Sequence, residues 1–202
     1  MNNALTQFQS AKMAEYLLTI NALQININNP FTWSSGWRSP VYCDNRISLS
    51  FPEVRKFITI GFSAFLQEWY PTTEVIAGLA TAGIAHGALL AAHLDLPYCY
   101  VRSTAKEHGR KNLIEGIVLP GQKVVVIEDL LSTGGSTLEV VKILRAAGAE
   151  VIGVLAIFTY GFPLAETAFA AENISFHTLT DYQTMIQIAI DKGLVSSDLY
   201  SC

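Results

Sequence analysis

An α/β fold, with a mostly parallel sheet covered by helices on both faces and a small N-terminal lobe or hood, follows from three features of the sequence. Short apolar runs alternate with segments of helical spacing from Glu74 onward. Those runs, EVIAGLA (Glu74 to Ala80), PYCYVR (Pro97 to Arg102), KVVVIED (Lys123 to Asp129) and EVIGVLAIFT (Glu150 to Thr159), are nearly continuous in apolar residues. Strands covered on both faces read this way, whereas strands with one wet face alternate. Half of the 202 residues are hydrophobic and only 15% are charged, enough for one substantial core and unlike a disordered chain.

Each element has its own signal. Leu5, Phe8, Met13, Tyr16, Leu17 and Ile20 recur near helical spacing, so an amphipathic helix is expected from Asn2 to about Leu23. In FTWSSGWRSPVYCD (Phe31 to Asp44), aromatic and β-branched residues flank Ser-Ser-Gly and Ser-Pro, which predicts short strands and a turn. Pro52 opens a second helix carrying Val54, Phe57, Ile58, Phe62, Phe65 and Leu66. The strand runs then alternate with an Ala/Leu-rich helix from Ile84 to Leu94 and a helix from Ser136 to Ala147 that Gly148 closes. A polar segment, Ser103 to Asn112, interrupts the pattern. One domain over 1–202 is expected: N-terminal helices and hood over 1–70, core sheet over 71–180, C-terminal helix and tail over 181–202.

Composition excludes several functions. A net charge of -4, with 13 Lys and Arg scattered except around Arg102 to Lys111, offers no broad field for nucleic acid. The N-terminal MNNALTQFQSAKMAEYLL lacks the basic start and apolar core of a secretory signal, and no run approaches the roughly 20 apolar residues that span a bilayer. A soluble, cytoplasmic protein without membrane partners is expected. Cys43, Cys99 and Cys202 are odd in number and far apart, which suggests reduced thiols.

Ligands of open parallel sheets sit beyond the carboxyl ends of the strands, so the loops after Ala80, Arg102, Asp129 and Thr159 matter most. The stretch VVVIEDLLSTGGST (Val124 to Thr137) stands out among them. Its turn joins a strand to a helix, where unpaired N–H groups and the positive end of the helix dipole converge. Glycines permit close approach and the hydroxyls donate hydrogen bonds, a combination suited to a phosphate monoester. No Lys follows the glycines and G-x-G-x-x-G is absent, so neither nucleotide-triphosphate nor dinucleotide loops fit. Glu128 and Asp129 would repel a phosphate they faced, but they suit two adjacent hydroxyls, such as those of ribose, and positive charge developing on a sugar ring. A turn-capping Asp129 and helix-capping Ser/Thr residues are the structural alternative.

The same stretch resembles the phosphoribosyl-diphosphate motif of the type I phosphoribosyltransferases. PYCYVRSTAKEHGRKNLIEG (Pro97 to Gly116) resembles the mobile loop of the orotate-specific branch, with Arg102, Lys106 and His108 matching R-x-x-x-K-x-H. FTWSSGWRSPVYCD resembles its orotate-side segment, with Phe31, Thr32, Ser35, Gly36, Ser39 and Pro40 in register. IFTYGFP (Ile157 to Pro163) and GLATAGIAHGALLA (Gly78 to Ala91) extend the likeness over most of residues 30–165. The resemblance implies the type I phosphoribosyltransferase fold and transfer of phosphoribosyl to N1 of orotate, with release of diphosphate. It implies Arg102, Lys106 and His108 as catalytic residues and places Glu128, Asp129, Leu130, Leu131, Ser132, Thr133, Gly134, Gly135 and Ser136 with them around the phosphoribosyl diphosphate. Ser132, Phe31, Ser35 and Gly36 are implied for orotate. Mg²⁺ is implied as a cofactor held mainly through substrate, with no direct protein ligand, and a homodimer is implied in which the loop reaches the partner's site.

The loop chemistry also stands by itself: three donors can neutralise a departing diphosphate, and Gly109 supplies a hinge. Some members of the resembled family carry Lys where this chain has Ser34, Ala82 and Ser103, and an orotate-contacting Arg is missing near Phe158 to Gly161; Arg38 is a candidate replacement. Trp33, Trp37 and Tyr42 are either an apolar wall for a planar base or ordinary core residues, and Tyr160 and Phe162 are open in the same way. His86 and His93 lack a carboxylate or Cys partner and fit packed or surface histidines better than metal ligands. Two other functions remain: a purine-base phosphoribosyltransferase, which should lack the Arg102 to His108 pattern, and a non-catalytic sugar-phosphate sensor, which should carry a damaged loop.

Overall fold

The computed structural model describes residues 3–26, 29–32, 38–102 and 113–196. Among the described residues, four short strands, β1 (Leu23–Ile25), β2 (Phe31–Thr32), β3 (Arg38–Ser39) and β4 (Val41–Cys43), precede the six that form the central sheet: β5 (Val75–Leu79), β6 (Tyr98–Val101), β7 (Ile114–Glu115), β8 (Lys123–Leu131), β9 (Glu150–Thr159) and β10 (Phe176–Asp181). Their order is β10-β9-β8-β5-β6-β7, and every pairing is parallel except β6 with β7. The expected mostly parallel sheet is therefore observed, with one antiparallel edge that the polar segment hides in the sequence.

Alternation along the central strand shows why those runs are continuously apolar. On β8, Val124 and Val126 enter one core and Val125 and Ile127 enter the other, all at 0% exposure. Successive side chains of a strand point to opposite faces, so a strand between two cores has no polar position to spare. The first face is covered by α1 (Asn3–Thr19), α2 (Pro52–Trp69), α3 (Ala82–Leu94) and α6 (Tyr182–Asp191), and the second by α4 (Gly135–Ala146) and α5 (Pro163–Ala171).

Several boundaries differ from the sequence expectation. The first helix stops at Thr19 because Asn21 adopts φ 57, the left-handed conformation that ends helices. Leu23 then begins β1 (Leu23–Ile25), which pairs antiparallel with β4 (Val41–Cys43). Between them, β2 (Phe31–Thr32) pairs with β3 (Arg38–Ser39), and a 3-10 helix follows at Asn45–Ser50. Strand β8 runs two residues past Asp129, to Leu131, and α4 starts at Gly135, so the phosphate-friendly turn is only Ser132 to Gly134.

The sheet order reverses direction between β5 and β8: the chain leaves β5 toward β6 and returns on the other side. Adjacent crossovers diverge there and leave a crevice beyond the strands' carboxyl ends. Among the described residues no helix is long and apolar enough to cross a membrane.

Candidate active site

The crevice is a cavity of about 270 Å³ lined by Cys43, Asp44, Arg46, Thr81, Ala82 and Asp129. Three elements meet at it: the turn between β5 and α3, the end of β8, and the start of the 3-10 helix. The Ala80–Thr81 peptide in that turn is cis. Gly83 lets α3 begin directly against β8, since a Cβ there would meet the carbonyl oxygen of Ile127.

Because the strand continues through the acid pair, Glu128 and Asp129 point to opposite faces. Asp129 lines the cavity. Glu128 is buried at 4% exposure, with Oε1 accepting the Asp129 N–H at 2.8 Å and Oε2 accepting the Thr137 hydroxyl at 3.4 Å. Burial raises both carboxyls above the ordinary carboxylate range, and the neighbouring Asp129 charge raises Glu128 further. The pair expected to share two hydroxyls is thus divided, one acid at the cavity and the other directly behind it.

The turn after β8 suits an anion. Gly134 adopts φ 80, and no side chain caps the N-terminus of α4 among the described residues. Backbone N–H groups of its first turn and the dipole are therefore available to a phosphate. Thr133, Gly135 and Ser136 are exposed at this turn, and Ser132 is half-buried. Leu131 is fully buried, so its side chain belongs to the core; its carbonyl accepts the Tyr160 N–H at 3.1 Å and the Thr159 hydroxyl at 3.2 Å. Leu130 packs against the opposite core. Leu131 can reach a ligand only through its backbone.

Hydrogen bonds hold the cavity in register. Asn45 Nδ2 donates to the Asp129 carbonyl at 2.7 Å, and its Oδ1 accepts the Cys43 thiol at 3.3 Å. Ser48 Oγ donates to the Asn45 carbonyl at 2.6 Å and lies 3.3 Å from His86 Nε2. A hydroxyl has one proton, so His86 must donate here from Nε2, which leaves Nδ1 as a buried acceptor without a partner among the described residues. His86 is 1% exposed and burial lowers it from 6.5 to about 4. It is a packed histidine, whereas His93 is on the surface.

The remaining expected residues fall in two groups. Arg102 stands at the base of the polar segment, its N–H on the Leu113 carbonyl at 2.9 Å and its guanidinium 3.9 Å from Glu115. Phe31 packs on Tyr42 with ring centroids 5.5 Å apart, and Tyr160 stacks on Phe162 at 5.6 Å. Lys106, His108, Gly109, Ser103, Trp33, Ser34, Ser35, Gly36, Trp37 and Cys202 lie outside the described residues. Arg38 is exposed on β3, paired through its backbone with Thr32, and is absent from the cavity lining. Sequence pattern does not single out Asn45, Arg46 or Ser48, nor Asp44 beyond its place at the end of Phe31 to Asp44; the only signal is the polar run Asp44-Asn45-Arg46 directly after a strand. Thr137, counted by sequence among the hydroxyls of the turn, is buried and donates to Glu128 instead.

A strand that carries an acid pair near its end, followed by an uncapped Ser/Thr/Gly turn at a sheet's switch point, defines a phosphoribosyl-transferring class, and residues 58–172 match the phosphoribosyl transferase domain family. The orotate phosphoribosyltransferase of Bacillus subtilis (strain 168) is 56% identical over 186 residues, covering 92% of this chain and 86% of that protein. The crystal structure of orotate phosphoribosyltransferase from Aeropyrum pernix superposes with a TM-score of 0.78 at 27% identity, covering 91% of this chain and 99% of that one. The Mycobacterium tuberculosis H37Rv orotate phosphoribosyltransferase in complex with inorganic phosphate gives 0.66 at 26% identity, covering 88% and 98%. The chain belongs to the orotate phosphoribosyltransferases.

Proposed function

We infer that the chain transfers the 5-phosphoribosyl group from phosphoribosyl diphosphate to N1 of orotate, giving orotidine 5′-phosphate and diphosphate. The observation that carries this reading is the meeting, at the end of β8, of a cavity-facing Asp129 and an uncapped α4 N-terminus. In this reading the turn from Ser132 to Ser136 takes the 5′-phosphate, and Asp129 accepts the ribose hydroxyls. As the C1–O bond breaks, its electron pair leaves with the diphosphate and positive charge grows on the ring, while N1 of orotate forms the new bond and gives up its proton to the diphosphate or to solvent. Asp129 favours that ring charge; Arg102, Lys106 and His108 neutralise the departing diphosphate. Phe31 and Tyr42, one aromatic pair on the hood, together with Ser132, Ser35 and Gly36, are assigned to the orotate side.

Mg²⁺ belongs to the same proposal, supplying positive charge to the diphosphate when bound. Asp44 and Asp129 both line the cavity, where carboxylates suit an ion that arrives with its diphosphate. A homodimer with the loop acting in the partner's site, and a cytoplasmic location, complete the reading; sedimentation at single-chain mass would remove the dimer. The deciding assay mixes the protein with Mg²⁺, phosphoribosyl diphosphate and orotate and follows orotate's ultraviolet absorbance. Orotate should disappear. Consumption of adenine or hypoxanthine in its place would overturn the assignment.

A further inference from the structure

Among the described residues that line the cavity Arg46 is the one cation, and two carboxylates, Asp44 and Asp129, line it too. The Thr81–Ala82 turn in the same lining brings no charge. Asp44 grips Arg46 with both oxygens, accepting Nε at 2.7 Å and Nη2 at 2.8 Å. The Arg46 backbone N–H also donates to Asp44 Oδ1 at 3.2 Å, so side chain and main chain are held by one partner. This contact keeps the guanidinium fully protonated and holds Asp44 below the ordinary carboxylate range. Nη1 has no acceptor among the described residues.

The pair is exposed on its Arg46 side, at 60%, where an ion pair contributes little to folding. Its mount is rigid nonetheless. Asn45, the residue between the two, is fully buried and bonded to the Asp129 carbonyl, and Ser48 one turn on is bonded back to Asn45 and to His86. A guanidinium fork pre-oriented by a carboxylate, with one nitrogen left over, is built to receive phosphoryl oxygens. The carboxylates beside it disfavour a bare anion and favour one that carries a divalent cation.

We propose that Arg46, oriented by Asp44, binds the diphosphate of the donor beside the Thr81–Ala82 turn and supplies the positive charge that this uncharged turn does not. This assignment rests on the phosphoribosyl-transfer reading above. Arg46 is assigned here to the leaving group, not to the 5′-phosphate turn or the orotate side.

Calorimetry on the full chain tests it with inorganic diphosphate plus Mg²⁺ as one ligand and ribose 5-phosphate as the other. Arg46→Gln should weaken diphosphate binding about tenfold, as expected for one charge-assisted hydrogen bond, and leave ribose 5-phosphate affinity unchanged. Arg46→Lys should keep part of the affinity, and Asp44→Asn should fall between wild type and Arg46→Gln because the fork loses its anchor. In turnover, the KM for phosphoribosyl diphosphate should rise while the KM for orotate stays. Unchanged diphosphate affinity in Arg46→Gln overturns the assignment, as does an equal loss of both ligands, which marks a merely structural pair. A wild type that binds both ligands but leaves orotate untouched refutes the choice of base and not the role of Arg46.

Discussion

Acidification should destabilise this protein through one imidazole. His86 is 1% exposed, donates from Nε2 to Ser48, and keeps Nδ1 bare; protonating Nδ1 would place a charge in the core with no carboxylate to meet it, and burial is the only cause of the shift. The folded value is lowered from 6.5 to about 4, so protons favour the unfolded chain. The stability this neutral ring contributes is present above the unfolded value of 6.5 and is lost as pH falls toward about 4. The difference corresponds to about 3 kcal/mol when complete, and about 2 kcal/mol is already lost near pH 5. Glu128 and Asp129 work in the opposite sense, because their raised values make the folded state bind protons more readily. The measurement must therefore be a difference: urea unfolding of wild type and His86→Gln, each near pH 7.5 and near pH 5. Gln keeps a neutral polar group for Ser48 and does not titrate. Wild type should lose about 2 kcal/mol more than the variant. Parallel pH profiles, or an imidazole that titrates near 6.5 by NMR, would refute the reasoning.

Two further outcomes follow from the end of β8. Glu128→Gln removes a buried carboxylate whose raised value penalises the folded state increasingly as pH rises, while Gln still accepts the Asp129 N–H. Melting temperature should rise at neutral and alkaline pH by a few degrees, about 2–4 °C per kcal/mol for a chain of this size, with the gain vanishing in acid; a fall at neutral pH would contradict it. Gly134→Ala forces φ 80 on an L-residue and sets its Cβ 2.5 Å from the buried Phe169 ring. Backbone strain of about 1–2 kcal/mol plus repacking of Phe169 should lower the melting temperature and weaken inorganic phosphate binding together; a variant that melts and binds as wild type would show the turn to be tolerant.

Much of the fold is legible without coordinates because both of its periodicities are local. Continuous runs such as VVVI announce a strand between two cores, and their alternation with helical segments leaves a parallel sheet as the economical packing. The short, irregular pieces are less legible. Two- and three-residue strands over Leu23–Cys43, and the antiparallel Ile114–Glu115, are held by pairing with distant residues and carry too few positions to show a period.

The same contrast separates the parts of the site. VVVIEDLLSTGGST carries an anion turn beside acids in consecutive residues, so the class of ligand can be read directly. Where β8 ends cannot be, because its last pairings are with β9, and that extension sends Glu128 inward and Asp129 to the cavity. Asp44, Arg46 and His86 lie far from the motif in the chain, and their local sequence does not give their partners. Their significance arises when the 3-10 helix docks on β8 through Asn45 and on α3 through Ser48. A hydrogen bond between residues 84 positions apart leaves no trace in either neighbourhood. Local order thus discloses the sheet and a turn suited to an anion, while long-range docking chooses which acid faces the cavity and which cation stands beside it.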